Sequence, residues 1–330
     1  MNQISKHILL GIAAADALGA PVEFKAANEL DMEAIASNYQ DEPHRLTGFG
    51  TWGKPVGTYT DDTAMSLCTA EFLLGGTPTT THLMKLYSQW LHQGHWTADG
   101  EVFDIGNTIL KAITNFDQTG DASTCGPNDI RSNGNGALMR ILPLLPFVQN
   151  RLFSDVYAIC EKVTSCTHAH SIAIHSSIIY MDLALKIVHH RDTFTPQDYL
   201  NEIQMCVGLL NVGDVFGNFF EEEYEKKPID ADPNGYVVGS LEIAIHSFLS
   251  TNSYREAVLK AISYGGDTDT NAAITGGLAA LKYGYESIPE EWLAPLKRKE
   301  EIIALANQLD QLYGPDQNDL PLKCEHKKEQ

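Results

Sequence analysis

Apolar residues recur along most of this chain at spacings of three and four residues, which is the period of an amphipathic α-helix. The alternation of apolar and polar residues that is typical of β-strands is nearly absent, and residues 47–59 form a Gly-rich loop in this interpretation. We therefore predict an all-α fold, a compact bundle of many helices. The predicted helices are residues 4–18, 64–74, 82–91, 102–113, 137–147, 153–164, 172–188, 196–210, 240–249, 254–262, 271–281 and 290–312.

A single domain is predicted for residues 1–313, because no low-complexity linker interrupts the helical pattern. The strongest interruption is residues 211–238, which carry an acidic run. Helical periodicity resumes directly afterwards, so we interpret this stretch as a loop excursion within the domain. Residues 314–330 begin with a Gly-Pro helix stop and are polar, and we predict a C-terminal tail there.

The charge balance of the 330-residue chain limits its partners. Its 23 Lys and Arg residues and 43 Asp and Glu residues give a formal net charge of −20. Nucleic acids and anionic lipid surfaces are bound through basic side chains, so we expect neither a nucleic-acid nor a membrane partner. Because 43% of the residues are hydrophobic, the chain has the composition of a folded globular protein rather than a disordered one.

Cysteine usage indicates a reducing compartment. The six cysteines lie far apart and form no C-x-x-C pair, which in a chain of this size is typical of buried thiols rather than of disulfides. No run reaches the roughly 18 apolar residues that a membrane-spanning helix needs. We therefore expect a cytoplasmic protein. The cysteines are Cys68, Cys125, Cys160, Cys166, Cys206 and Cys324.

Two Gly-preceded turns each carry a pair of carboxylates directly before an apolar helix. The first is residues 57–65, Gly-Thr-Tyr-Thr-Asp-Asp-Thr-Ala-Met, and the second is residues 265–273, Gly-Gly-Asp-Thr-Asp-Thr-Asn-Ala-Ala. Helix capping explains one acid in each turn, but two buried like charges are unfavourable unless a cation neutralises them. Carboxylates and Thr hydroxyls are ligands of hard divalent cations. The two turns therefore predict a site for two metals if they meet, with capping as the alternative.

A third acidic segment lies at the end of the first predicted helix. Asp16 is the sole charge in an Ala-rich apolar stretch, and we interpret it as a structural residue satisfied by backbone donors. Glu23 lies between Val22 and Phe24, which indicates a buried setting and favours a metal or substrate role.

Taken together, these motifs resemble the ADP-ribosylglycohydrolase family. The resemblance includes residues 11–24, Gly-x3-Ala-Asp-Ala-Leu-Gly-x-Pro-x-Glu-Phe, and both acidic turns. It extends in family order through four further motifs and covers roughly residues 8 to 285. These four motifs are residues 104–108, 132–140, 167–168 and 235–241.

The resemblance implies an orthogonal bundle of helices around a central cleft with a dinuclear Mg²⁺ centre, Mn²⁺ being possible. It also implies that Glu23 contacts or gates the metals, and that Asp104 lies near the reacting ribose. The metal ligands that it implies are Thr60, Asp61, Asp62, Asp267, Asp269 and Thr270. The residues that it implies for contacts with the ADP-ribose are Ser132, Gly134, Asn135, Gly136 and His168.

Physical reasoning supports part of this assignment. Glycines in the loop before Ala137 would let backbone N–H groups approach a diphosphate, and a helix predicted to start there would present its N-terminus to the anion. A simple turn is the alternative. The histidines at 168, 170 and 175 lack the spacing of a zinc helix, so a zinc enzyme is not expected.

The implied reaction is hydrolysis of the glycosidic bond between ADP-ribose and a protein side chain, with arginine favoured and ADP-ribose as product. The candidates for the acid–base residue are Asp62, Glu23 and Asp104, and Asp62 is the first of them. The aromatic partner of the ligand stays open among Phe103, Tyr236 and Tyr264. Two alternatives are a different two-metal nucleotide hydrolase and a binding protein that occludes an ADP-ribosyltransferase.

Overall fold

The computed structural model describes residues 3–38, 50–75 and 78–314. Over these ranges the chain forms fourteen α-helices joined by loops and short 3₁₀ turns, with no β-strand, which confirms the all-α prediction. The helices are α1 Ile4–Gly19, α2 Met32–Ala36, α3 Asp61–Phe72, α4 Thr80–Gln93, α5 Asn107–Thr119, α6 Leu145–Val148, α7 Phe153–Ser165, α8 Ser171–His190, α9 Pro196–Leu210, α10 Val237–Leu249, α11 Tyr254–Ile262, α12 Thr268–Tyr283, α13 Glu290–Leu293 and α14 Lys299–Leu312.

Helices α1 and α12 form the centre of the fold and pack with their backbones in close contact. A Cβ atom added to Gly11 would lie 2.7 Å from the carbonyl oxygen of Gly276, and one added to Gly276 would lie 2.5 Å from that of Gly11. The Thr268 hydroxyl also donates to the carbonyl oxygen of Gly19 at 2.9 Å. This packing brings the C-terminal end of α1, and the acids beside it, against the acidic start of α12.

The helix predicted at residues 137–147 is broken in the structure, and proline accounts for the break. Residues 137–147 form two 3₁₀ turns, at Asn135–Ala137 and Leu142–Leu144, followed by the four-residue α6. Pro143 and Pro146 lack the N–H group that a continuous α-helix requires. No α-helix therefore begins at Ala137, and the predicted helix N-terminus for an anion is absent from this loop.

Two further boundaries differ from the prediction. The predicted helix 290–312 is divided into α13 and α14 at Pro295, and Arg298 adopts a left-handed backbone with φ of 53° before α14 begins. The helix predicted from residue 102 starts instead at Asn107, after an irregular stretch that includes Asp104. That stretch carries one of the predicted site acids.

The excursion at residues 211–238 is anchored to the core. Phe216, Phe219 and Tyr224 are buried, and the Tyr224 hydroxyl donates to the carbonyl oxygen of Glu242 at 3.1 Å. Its far end reaches the candidate site, because the Pro233 carbonyl oxygen accepts the backbone N–H of Asp267 at 2.9 Å. The predicted tail falls almost entirely on residues 315–330, outside the described residues.

Helix α8 qualifies by length and composition alone as a possible membrane span, which the sequence interpretation did not find. However, 72% of its most apolar window is buried inside the protein, as in the core helix of a globular fold. The five cysteines within the described residues are all buried and free.

Candidate active site

The first acidic turn is held by a carboxylate from a different helix. Thr60 is the N-cap of α3, which begins at Asp61. Asp16, on α1, accepts hydrogen bonds from the backbone N–H groups of Thr60 and Thr63 at 3.0 Å each, and from both of their hydroxyls. Asp16 is fully buried, and its oxygens are saturated by this turn. The structure thus supports the structural interpretation of Asp16 and shows how α1 positions the start of α3.

Hydroxyl groups from both acidic turns converge on Asp62. Its Oδ2 atom lies 3.0 Å from the Thr60 hydroxyl and 3.2 Å from the Thr270 hydroxyl. Its Oδ1 atom is buried and has no hydrogen-bond partner among the described residues. One carboxylate oxygen is therefore fixed by two hydroxyls from different helices, and the other is left available to a ligand.

The second acidic turn depends on two glycines. Gly265 and Gly266 adopt left-handed φ angles of 73° and 69°, which only glycine adopts readily. The carbonyl oxygen of Gly266 accepts the N–H of Phe24 at 2.7 Å, so the turn is joined to the segment that carries Glu23. Asp269, in the first turn of α12, is fully buried, and neither of its carboxylate oxygens has a hydrogen-bond partner within the described part of the chain.

The fold brings five acids into two groups that share Asp269. In each group, one carboxylate oxygen from every member lies within 4.8 Å of the others. The first group is Asp16, Asp62 and Asp269, and the second is Glu23, Asp267 and Asp269. Asp61 belongs to neither group, and the charge that affects it most is that of Asp104. The two predicted turns therefore meet, as the metal interpretation required.

Burial and mutual repulsion raise the pKa of nearly every acid in this cluster. Desolvation is the main cause for each residue. It raises the pKa of Glu23 to about 9, helped by the charges of Asp104 and Asp267, and that of Asp104 to about 7. The pKa values of three further acids are raised well above their usual range; these are Asp61, Asp62 and Asp269. A bound cation would stabilise the ionised form of these acids and would so take the place of their protons.

Glu23 is buried beneath an aromatic side chain that the sequence analysis did not identify. Its side chain is 3% exposed, and its Oε2 atom accepts the indole N–H of Trp52 at 2.5 Å. Trp52 lies in the Gly-rich loop before the first acidic turn. An aromatic residue in such a loop was the feature of the sequence that could have indicated its place at the site. The structure therefore adds Trp52 to the surroundings of the candidate site.

The loop from Ser132 to Gly136 lies against the acid cluster through Asn135. The Asn135 side-chain amide donates to Asp267 Oδ2 at 2.8 Å and to the Ser240 hydroxyl at 2.9 Å. The backbone N–H of Asn135 donates to the carbonyl oxygen of Gly235 at 3.0 Å. The Ser132 hydroxyl is already engaged with Asp129 at 2.8 Å.

His168 packs under this loop rather than in the open part of the site. It is 1% exposed, and a Cβ atom added to Gly136 would lie 3.2 Å from its Cε1 atom. Burial lowers the pKa of His168 to about 3, helped by the charge of Arg140. The imidazole is therefore neutral at physiological pH and supports the loop from beneath.

Of the three aromatic candidates for a ligand contact, two lie at the site. Tyr236 is 39% exposed and pairs with Gly134 through backbone hydrogen bonds on either side. Phe103 precedes Asp104 and contacts the Trp52 ring with a centroid distance of 5.6 Å. Tyr264 is instead bonded to His246, with 2.9 Å between its hydroxyl and Nδ1.

Comparisons with known proteins agree with this geometry. The family model described as ADP-ribosylglycohydrolase matches residues 5–319. The chain is 30% identical over 310 residues to the ADP-ribosylarginine hydrolase Tri1 of Serratia proteamaculans (strain 568), an alignment that covers 92% of this chain and 78% of that protein. It is 26% identical over 294 residues to the ADP-ribosyl-(dinitrogen reductase) glycohydrolase of Rhodospirillum rubrum, covering 88% of this chain and 90% of that one.

A solved structure described as an ADP-ribosylglycohydrolase-related protein complex superposes with a TM-score of 0.76 at 26% identity, covering 94% of this chain and 98% of its own. The match of the family model over nearly the whole chain and the shared fold lead to one conclusion. The chain belongs to the ADP-ribosylglycohydrolase family of enzymes.

Proposed function

We propose that this enzyme hydrolyses the N-glycosidic bond between C1″ of ADP-ribose and an arginine side chain of a modified protein, and so reverses mono-ADP-ribosylation. The observation that carries the proposal is the convergence of both acidic turns and Glu23 on Asp269, where buried carboxylate oxygens lack partners. The preference for arginine is supported by the relative that is 30% identical, which is an ADP-ribosylarginine hydrolase.

The donor set fits two hard divalent cations, Mg²⁺ or Mn²⁺. It offers carboxylate and hydroxyl oxygens only, and the unpartnered Oδ1 of Asp62 and both oxygens of Asp269 are the atoms that such cations would satisfy. When bound, the cations would offset the buried negative charge, hold the ribose hydroxyls and polarise a water molecule. The residues proposed to bind them are Thr60, Asp61, Asp62, Asp267, Asp269 and Thr270, with Glu23 beside them.

Asp62 is the first candidate for the residue that takes a proton from water. Its Oδ2 atom is held by the hydroxyls of Thr60 and Thr270, so the carboxylate is fixed in place beside the proposed cations and can accept a proton from a water molecule there. Water adds to C1″ as the C1″–N bond breaks, and the bonding electron pair leaves with the guanidine nitrogen, which takes up a proton. Glu23 and Asp104 are the candidates for supplying that proton, because burial favours their protonated forms. The products are ADP-ribose and unmodified arginine.

The loop from Ser132 to Gly136 is the proposed cradle for the diphosphate. Gly136 lets the loop pack closely against the protein, since a Cβ atom there would lie 2.6 Å from Ile109 Cδ1. Asn135 couples the loop to the cluster through Asp267. The N–H groups of Ser132 and Asn135 already donate to the carbonyl oxygens of Asp129 and Gly235, so the donors in this proposal are the remaining N–H groups of the loop. No helix N-terminus adds to them, because the helix predicted at Ala137 is not formed.

The test is the hydrolysis of an arginine-ADP-ribosylated peptide with excess Mg²⁺ or with chelator, in the wild type and in the double variant Asp61→Ala/Asp62→Ala. We expect activity with Mg²⁺ and a loss of at least about a hundredfold with chelator or in the variant. The matched control is Glu222→Gln, which removes an exposed acid outside the site and should leave activity unchanged. Activity that survives both the chelator and the double substitution would overturn the metal-dependent mechanism.

The same assay separates the two alternatives. A different two-metal hydrolase would release AMP or free phosphate, whereas a binding protein that occludes an ADP-ribosyltransferase would release nothing and would inhibit the transferase. We further propose that the enzyme works in the cytoplasm, which the free buried cysteines support. A contact with the transferase that modifies its substrate stays a prediction.

A further inference from the structure

Three aromatic side chains form a continuous strip beside Glu23. The Phe24 and Trp52 rings meet edge to face with 6.0 Å between centroids, and the Trp52 and Phe103 rings lie 5.6 Å apart. Phe24 is 65% exposed, and the other two rings are partly exposed. The strip formed by Phe24, Trp52 and Phe103 is therefore an open apolar surface that is joined to the acid cluster by the hydrogen bond from Trp52 to Glu23.

The backbone at both ends of this strip adopts conformations that are unfavourable for the residues there. Phe24 has a φ of 66°, a left-handed conformation that a bulky residue rarely adopts, and Asp104 beside Phe103 has a φ of 49°. The Phe24 N–H is fixed to the carbonyl oxygen of Gly266 at 2.7 Å, and the Thr51 hydroxyl donates to the carbonyl oxygen of Glu23 at 2.6 Å. Strained conformations of this kind persist where surrounding contacts enforce them and occur most often at ligand sites.

The surroundings of the strip suit a cation. Phe24 follows Glu23 in the sequence and Phe103 precedes Asp104, so both ends of the strip adjoin carboxyl groups of the cluster. The Lys54 ammonium group, which is paired with Asp99 and Glu101 at 2.9 and 2.6 Å, lies 4.9 Å from the centroid of the Phe103 ring, so the strip accommodates a cation at one end. Aromatic ring faces attract cations, and carboxyl oxygens beside them accept hydrogen bonds from a cation.

The strip and the loop from Ser132 to Gly136 contact different acids of the cluster. Asn135 of the loop donates to Asp267, whereas Trp52 of the strip donates to Glu23. An ADP-ribose whose diphosphate lies along the loop would bring its reacting ribose to the acids. The strip then borders the Glu23 side, and Glu23 is one of the two residues proposed to supply the proton to the leaving nitrogen.

We propose that Phe24, Trp52 and Phe103 form the subsite for the guanidinium group of the arginine that leaves the ADP-ribose. A guanidinium is a flat cation that stacks on aromatic faces and donates hydrogen bonds to carboxylates, so it matches both features of this surface. The inference rests on the proposed function and adds to it the structural source of the arginine preference. The alternative is that an adenine base stacks on the same rings, and the test below distinguishes the two ligands.

The test uses Phe24→Gly, which removes the exposed ring while glycine accepts the φ of 66° without strain, so the variant is expected to fold. The probes are agmatine, a free guanidinium compound, and ADP-ribose. Their Kd values are measured separately by ligand-observed NMR titration of the Mg²⁺-loaded protein. We expect the Kd of agmatine to rise about tenfold and that of ADP-ribose to stay within about twofold.

Two further variants sharpen the result. Trp52→Phe keeps a ring and should retain agmatine binding within about threefold, whereas Trp52→Leu should weaken it about tenfold. Leu152→Gly is the matched control, because it removes another exposed apolar side chain, 75% exposed, at the start of α7. It should change neither Kd.

The outcomes also separate this inference from the proposed function. An unchanged Kd for agmatine in Phe24→Gly would overturn the guanidinium subsite, and so would a rise in the Kd of ADP-ribose alone, which would assign the strip to adenine. If agmatine binding depends on Phe24 but the wild type does not hydrolyse the arginine-linked substrate, the subsite stands and the proposed reaction fails. If the wild type hydrolyses that substrate while Phe24→Gly binds agmatine normally, the reaction stands and the subsite fails.

Discussion

Asp16 and Asp62 share the Thr60 hydroxyl. That hydroxyl lies 3.0 Å from Asp16 Oδ1 and 3.0 Å from Asp62 Oδ2, and it has a single proton that it can donate to either. The backbone N–H of Thr60 also donates to Asp16, so Asp16 fixes this residue at the start of α3. A buried acid on α1 thereby positions a predicted metal ligand at the start of α3.

The first prediction concerns Asp16→Asn. The amide of Asn would place a donor against the N–H and hydroxyl donors of Thr60 and Thr63, so the free energy of unfolding should fall by about 2–3 kcal/mol. Urea unfolding in excess Mg²⁺ measures it. Asp31→Asn is the control, because Asp31 caps the short α2 through a single exposed hydrogen bond of 3.1 Å. This substitution should lower the free energy of unfolding by less than about 1 kcal/mol. Equal losses in the two variants would contradict the role of Asp16.

Helical periodicity predicted most of the fold but not the places where proline interrupts it. The helices at 196–210 and 254–262 begin and end where the pattern placed them, because each has a Thr or Ser cap before a regular apolar stripe. At 137–147 and 290–312 the apolar pattern continues through a break, since hydrophobic spacing records which face is buried and not whether the backbone hydrogen bonds continue.

For the site, the sequence indicated which residue types matter but not how they meet. The paired acids and their threonines were visible as motifs, whereas the bond between Asp16 and Thr60 joins residues 44 positions apart. The contact between Trp52 and Glu23 likewise depends on a loop whose path no periodicity describes. Such contacts follow from packing, above all from the close approach of α1 and α12 at their glycines.

The second prediction compares two glycines of one loop. A Cβ atom at Gly136 would lie 2.6 Å from Ile109 Cδ1, whereas one at Gly134 would find its nearest neighbour at 3.7 Å. Gly136→Ala should therefore lower the free energy of unfolding by about 1–3 kcal/mol and raise KM, because the loop is displaced from the site. Gly134→Ala should stay within about 0.5 kcal/mol of the wild type. Thermal unfolding and steady-state kinetics measure both, and similar effects at the two positions would refute the packing argument.

The third prediction links pH, metal and stability. Carboxyl groups whose pKa is raised by folding bind more protons in the folded state, so the metal-free protein should lose stability as pH rises above the ordinary carboxyl pKa of about 4. A bound cation takes the place of those protons and stabilises the ionised cluster. The difference in Tm between Mg²⁺ and chelator should therefore widen from pH 6 to pH 9.

Acids outside the site provide an internal control for this experiment. Burial raises the pKa of Asp182 to about 6 and that of Glu242 to about 7, so both lower stability as the pH rises from about 4 to those values, whether or not metal is present. Their effect cancels in the difference between the two Tm values. A difference that is constant or narrows toward pH 9 would argue against cation binding by the cluster.

The fourth prediction concerns the number of metal ions that the protein binds. Asp269 belongs to both acid groups and Asp267 to one, so titration with Mn²⁺ followed by electron paramagnetic resonance should find two bound ions in the wild type. Asp267→Asn should retain one of them, and Asp269→Asn should weaken both by at least about tenfold. Two tight sites that persist in Asp269→Asn would show that this residue is not shared between the ions.

Identification of both reaction products tests whether the enzyme cleaves the bond to arginine. A peptide that carries ADP-ribose on a single arginine is incubated with the Mg²⁺-loaded enzyme, and the peptide and the released nucleotide are both identified by mass spectrometry. We predict unmodified arginine in the peptide and intact ADP-ribose in solution, in equal amounts. A peptide that retains phosphoribose while AMP is released would contradict the proposed reaction, because it would show cleavage of the diphosphate instead of the bond to arginine.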